Sequence, residues 1–233
     1  MRKRGWLTVL VLVLLPGFSM ACGAPESKVS PAGGEDGIML PEPRYESGVS
    51  IEETLRKRRS VRDYADEALT LPEVAQLLWA AQGNTSPGGK RTAPSAGALY
   101  PLEVYVVTGK VAGVTPGVYH YHPQSHDMEK VIDGEQRAAL CRVALSQECI
   151  EQAAIDIIIT AVYERTTATY GNRGIRYVHM EAGHAAQNVY LQAEALGLGT
   201  VVIGAFRDET VKQVLGLPED EEPLYIIPVG RKI

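Results

Sequence analysis

The chain of 233 residues has little hydrocarbon aromatic and little sulfur: two Phe, two Trp and three Cys stand beside eleven Tyr. No cysteine lies at metal-ligand spacing, so no thiolate metal site organises the chain. There is no basic excess either. A net charge of −5 argues against non-specific nucleic-acid binding and makes any cluster of cations local and specific. The one long apolar run, Trp6 to Leu15, is too short for a comfortable membrane span. What is present, 45% hydrophobic and 22% charged residues, is ordinary globular composition for one domain or two small ones. The tyrosine surplus points to half-buried rings whose hydroxyls find partners, as at an interface or a ligand pocket.

The first 22 residues read as an export signal. Arg2, Lys3 and Arg4 precede the apolar run, Pro16 and Gly17 break it, and small residues lead to Cys22. Ala21-Cys22 resembles a bacterial lipoprotein processing site. The resemblance implies a lipidated Cys22 and an exported protein held at a membrane surface without spanning it. Residues 23–48 are rich in Pro, Gly, Ser and Glu and read as a flexible tether, with Ile38–Tyr45 alternatively an arm packed on a partner. The folded domain is expected over 49–233. Within it Cys141 and Cys149 fall in what reads as one helix, on one face and too far apart to bridge, hence two buried thiols.

Arg58-Arg59-Ser60-Val61-Arg62 follows a helical pattern at Ile51–Arg59. In an extended chain Arg58, Ser60 and Arg62 share a side. Arginine forks onto phosphates and polarised carbonyls; the alternative is a solvated basic helix end. Thr70-Leu71-Pro72-Glu73 is a capping box opening a helix to Ala81, with Gly83 as its C-cap. Asn84–Gly97 is long enough for a functional loop and ends in small residues around Ser95 that admit close backbone approach. Strands are expected at Glu103–Val107, Gly117–His122, Met128–Ile132, Ile155–Val162, Gly199–Ile203 and Leu224–Val229. Helices are expected at Glu135–Glu148, Arg176–Leu196 and Asp208–Leu215. Hairpins mixed with helices fit an α+β fold. His120, His122 and His126 share a hairpin, but no carboxylate or cysteine completes an obvious metal set. His179 and His184 read as core or interface residues.

Four motifs in order now resemble the FMN-dependent nitroreductase superfamily: Arg58–Arg62, Pro94–Pro101, Gly197–Ala205 and Val229-Gly230-Arg231-Lys232. Gly117–Tyr121, Gly183–Asn188 and Ala195–Gly199 look like its SagB-type or azoline-dehydrogenase branch. The resemblance implies a nitroreductase-like fold, a central mixed or antiparallel sheet flanked by helices, with FMN at a homodimer interface. Arg58, Arg59 and Ser60 would contact the phosphate and ribityl chain, and Arg62 the N1 and C2-carbonyl edge, where a cation stabilises reduced flavin. Pro94, Ser95, Ala96 and Gly97 would reach FMN from the partner subunit. Ile203, Gly204 and Ala205 would face N5, and Arg231 would reach the phosphate. Azoline dehydrogenases are expected to carry Lys-Tyr before the long helix. Thr169-Tyr170 stands there, so a lysine base is replaced and Tyr170 alone remains as a proton donor. The implied activity is two-electron oxidoreduction of a small organic substrate, with NAD(P)H as a candidate donor. A membrane-tethered flavin-binding protein without turnover is the alternative.

Overall fold

In the computed structural model the described residues are Gly37–Ile233, so the leader, Cys22 and the first part of the tether lie outside them. Among the described residues no helix is long and apolar enough to cross a membrane. The elements run β1 (Gly37–Met39), α1 (Ile51–Lys57), β2 (Tyr64–Ala65), α2 (Leu71–Gln82), a 3-10 turn (Ala96–Ala98), β3 (Leu102–Thr108), β4 (Gly117–His122) and β5 (Asp127–Asp133). There follow α3 (Arg137–Val143), α4 (Cys149–Gln152), β6 (Ile155–Ala161), α5 (Glu164–Tyr170), α6 (Arg173–Ala195), β7 (Leu198–Thr200), α7 (Asp208–Leu215) and β8 (Glu222–Lys232). This is the expected α+β architecture.

The sheet runs β1-β5-β4-β3-β6-β8-β2, with β7 also on β8, and these strand pairs are antiparallel. β6 lies near the middle and is buried at every position, which is why Ile155–Ala161 lacks polar alternation. Ile155, Ile157 and Ile159 face α2 and α6, while Ile158 faces the layer formed by α3, α4 and α7. In α2 both halves of the capping box form, and Pro72 occupies the first turn. Gly83 ends the helix without entering the left-handed region (φ −63°). A Cβ there would lie 2.1 Å from the Trp79 ring, so packing, not backbone freedom, requires glycine.

Three expectations need correction. Gly37–Met39 pairs with β5, and Leu40 is buried, so part of the stretch read as a tether belongs to the sheet. His126 holds the junction: its carbonyl accepts from Leu40 N–H, and its Nε2 meets the Pro41 carbonyl at 2.9 Å. The helix expected over Glu135–Glu148 breaks at Leu145 and Ser146, both left-handed (φ 58° and 57°), so Cys141 and Cys149 sit on two helices. Both are nevertheless buried free thiols. Thr169-Tyr170 stands before the long helix as read, at the end of a short helix of its own, α5. The strand expected to Ile203 stops at Thr200, and Ile203 returns to the sheet by a bridge to Ile226.

Candidate functional site

Past α1 the chain turns extended at Arg58 (ψ 125°). Ser60 then lies beside Thr200 in a parallel bridge, and Val61 N–H donates to the Thr200 carbonyl at 2.9 Å. That bridge sets the middle of the Arg58–Arg62 segment against the end of β7. Tyr190 on α6 gathers the pieces. Its hydroxyl lies 2.9 Å from Ser60 Oγ and accepts from Val202 N–H at 3.0 Å, while its ring carries the Arg58 guanidinium 5.0 Å from the centroid. Arg58 and Ser60 therefore share a side, as strand alternation requires. Arg59 donates to the carbonyls of Arg56 and Arg58. Among the described residues no ion pair commits Arg58, Arg59 or Arg62 to a carboxylate, unlike Lys57, Arg137 and Arg165, which pair with Glu53, Glu135 and Glu103.

A second cluster forms around Pro94–Tyr100. Ser95 Oγ accepts from Tyr100 N–H at 2.9 Å, and Gly97, Ala98 and Tyr100 all take positive φ (64°, 54° and 45°). Left-handed Ala and Tyr are unfavourable and persist only where the surroundings impose them. Arg165 supplies one constraint by donating to the Tyr100 carbonyl, and Arg91 a second, 4.6 Å from the centroid of the Tyr100 ring. Tyr170 reaches the same loop: a Cβ on Gly97 would lie 2.9 Å from its hydroxyl. Beneath the loop, Glu181 of α6 is 2% exposed and its Oε1 has no hydrogen-bond partner. Burial pushes this carboxyl up to about 7, with Ser95, Arg91 and Gln82 opposing.

Sequence and structure comparisons bear on this arrangement. The nitroreductase family model matches residues 55–231. The chain belongs to the nitroreductase family. A nitroreductase of Methanocaldococcus jannaschii is 52% identical over 185 residues, 79% of this chain and 92% of that one. The crystal structure of a nitroreductase from Ralstonia eutropha superposes with a TM-score of 0.75 at 33% identity, covering 85% of this chain and 90% of the other. On the SagB-like side, the microcin B17-processing protein of Escherichia coli is 28% identical over 159 residues, 65% of this chain and 58% of that protein.

Within this nitroreductase the expected site residues do not all converge. Arg58 and Ser60 meet at Tyr190, while Arg59 folds back on the carbonyls of Arg56 and Arg58; Pro94, Ser95, Ala96, Gly97 and Tyr170 meet at the strained loop. Glu181 and Tyr190 are nine residues apart on α6, so the two clusters stand about 14 Å apart along its axis. Ile203 is buried and exchanges both backbone hydrogen bonds with Ile226, which leaves Gly204 and Ala205 exposed just past the Tyr190 cluster. Gln147 fixes that turn by donating to the Ala205 carbonyl at 3.0 Å. Arg62 is exposed, and its charge reaches Cys149 and Tyr64.

Arg231 is a correction. Its guanidinium forks onto Glu73 (2.7 and 2.9 Å), the carboxylate of the α2 capping box, and does not join Arg58. Neighbours on a strand point to opposite faces, and Arg231 falls on the α2 side. Lys232 points the other way, beside Gly199 and Val61, and pairs with Glu194 at 2.7 Å. The hairpin histidines are individually bound: His120 to Glu103 (3.0 Å), His122 to Asp127 (2.7 Å) and His126 to Tyr121 (3.0 Å). His179 bonds Tyr163 at 2.6 Å. Sequence reading missed Tyr190, Arg91 and Glu181. The tyrosine surplus was the available signal for the first; nothing local marks a helix carboxylate as buried.

Proposed function

We propose that the chain is an FMN-dependent oxidoreductase, a homodimer that moves two electrons between FMN and a small organic substrate. FMN follows from family membership, and relatives named as a flavin oxidoreductase and as FMN reductases support it. NAD(P)H, the reductant in those relatives' names, is the electron donor. The observation that carries the reading is the Arg58–Ser60–Tyr190 cluster. It is a guanidinium without a carboxylate partner among the described residues, beside a hydroxyl pair already oriented by Val202 N–H. Such a group suits a phosphate, because the charge and donors are placed before the anion arrives.

When bound, FMN supplies hydride transfer at N5. Arg58 and Ser60 would hold its phosphate, and Arg62 would place positive charge at its N1 edge. Gly204 and Ala205 present exposed backbone, and Tyr170 holds a proton on its hydroxyl. Thr169 in the lysine position removes a base for taking a ring proton, which favours reduction of a small acceptor over oxidation of a peptide azoline. The dimer reading rests on exposed Ile51 and Leu55 of α1 and Ile175 and Met180 of α6. Gly183 lies open on the outer face of α6, while Ala182, Ala185 and Ala186 pack inward.

The test is the visible spectrum of purified protein, with FMN titration and sedimentation. Yellow, dimeric protein is expected, bleached by NAD(P)H and reoxidised by a quinone or nitro acceptor. Arg58→Ala should weaken FMN binding at least about tenfold, the loss of one charge-assisted contact. Protein that ignores added FMN overturns the reading, and yellow protein without turnover makes it a flavin-binding protein instead.

A further inference from the structure

Glu181 has no place in the chemistry above, yet it sits under the loop that the flavin reading brings to the cofactor. Its Oε1 lacks a partner, and so does Nε2 of Gln82, whose other amide atom, Oε1, is taken by Arg91 Nη1 at 3.1 Å. Both orphaned atoms are buried, and Ser95 stands against the same carboxyl. A buried, incompletely bonded carboxylate is costly, whereas the neutral acid is far less so. Lifting Ser95 and the residues that follow it would rehydrate the charged form without moving a helix. Those residues are the left-handed turn at Gly97–Tyr100, whose conformation already needs external support.

We propose that Glu181 is a positioning residue: as a neutral acid it keeps Ser95 and the Pro94–Tyr100 loop seated for flavin binding, and its ionisation releases them. This rests on the flavin reading of the site. The charged groups around it are few. Arg91 faces it from the segment after α2, and Arg91 is itself shared with Glu103 of β3 and with the Tyr100 ring. Arg165 of α5 pairs with Glu103 and so does not compensate Glu181, and His120 lies beyond Glu103. Burial has already raised the Glu181 carboxyl to about 7, which sets the window in which the loop loosens.

The test is FMN affinity between pH 6.5 and 8.5, measured by flavin fluorescence quenching on the full chain and on Glu181→Gln and Glu181→Met, with a thermal melt of each. In the wild type the FMN dissociation constant should rise above pH 7 by up to about tenfold per pH unit, the limit for release of one proton. Glu181→Gln, which keeps a polar group for Ser95, should bind as the wild type does at pH 6.5 and keep that affinity to pH 8.5, and Glu181→Met should likewise lose the pH dependence. The cofactor phosphate, Arg91 and His120 are common to all three proteins, so the difference isolates Glu181. Parallel pH profiles in wild type and Glu181→Gln overturn the inference while leaving the flavin site standing. If Glu181→Gln melts early, a Glu181→Met profile that still follows the wild type also overturns it. Wild-type protein that binds no FMN at any pH overturns the flavin reading itself.

Discussion

Replacing Glu73 by alanine separates two roles that the sequence had merged in Arg231. The carboxylate accepts from Thr70 N–H and Thr70 Oγ, both at 2.8 Å, and from both terminal nitrogens of Arg231. Loss of the cap costs about 1 kcal/mol. Leaving Arg231 alone would cost about 3–5 kcal/mol if the pair were fully buried and less than about 1 if exposed. With side chains 28% and 17% exposed, an intermediate 1–2 kcal/mol is reasonable, about 2–3 in all. For a domain of this size that is a fall of about 5–10 °C in Tm. Burial tends to raise the Glu73 carboxyl, but the Arg231 fork and the Thr70 donors outweigh it and hold it below its ordinary value. The associated stability is therefore present above the ordinary glutamate range and is lost as pH falls through the lowered value, so the mutant and wild-type melts should converge in acid. FMN affinity should change less than about threefold in Glu73→Ala and in Arg231→Ala, because neither touches the Arg58–Tyr190 cluster. A Glu73→Ala melt within about 1 °C of wild type at neutral pH would refute the strap. A tenfold loss of FMN in Arg231→Ala would return that arginine to the phosphate.

Gly97→Ala forces a side chain into positive φ and toward the Tyr170 hydroxyl; a loss of about 1–2 kcal/mol in urea unfolding is expected, with weaker FMN binding, and wild-type values for both would contradict the crowding. Asp156 is fully buried on β6 with both oxygens unpartnered. Burial raises its carboxyl well above the ordinary value against the opposing field of Arg137, so it stabilises the fold as a neutral acid and that contribution is lost as pH rises through the raised value. Asp156→Asn should remove this part of the pH dependence; identical losses from pH 5 to pH 8.5 in mutant and wild type, read from urea midpoints, would count against it. The lipoprotein-like Ala21-Cys22 pair predicts that Cys22→Ser releases the protein from membranes in cell fractionation, and wild-type protein that does not fractionate with membranes overturns that expectation.

Periodicity and turn chemistry made much of the fold legible. β4 and α7 begin and end where alternation and the 3.6-residue repeat place them, and the Thr70–Glu73 box opens α2 as its spacing requires. The misses share a cause. Leu145 and Ser146 break a helix with residues that carry no breaking signal; their left-handed backbone is closed by Ser146 N–H donating to the Cys141 carbonyl. β1 and β2 span three and two residues, too short for any alternation to register. At the site, Arg58 and Ser60 were readable because they are local to one another. Tyr190 is 130 residues from Ser60, and the Arg231–Glu73 fork spans 158, so only the folded chain reveals which side chains those cations meet.

β1 closes the border of the sheet formed by β5, five strand intervals from β8, or about 24 Å. Gly37–Met39 thus lie far from Ser60 and cover β5 backbone donors and acceptors that would otherwise invite pairing with a foreign strand. Trimming past Met39 should expose the β5 edge and promote aggregation.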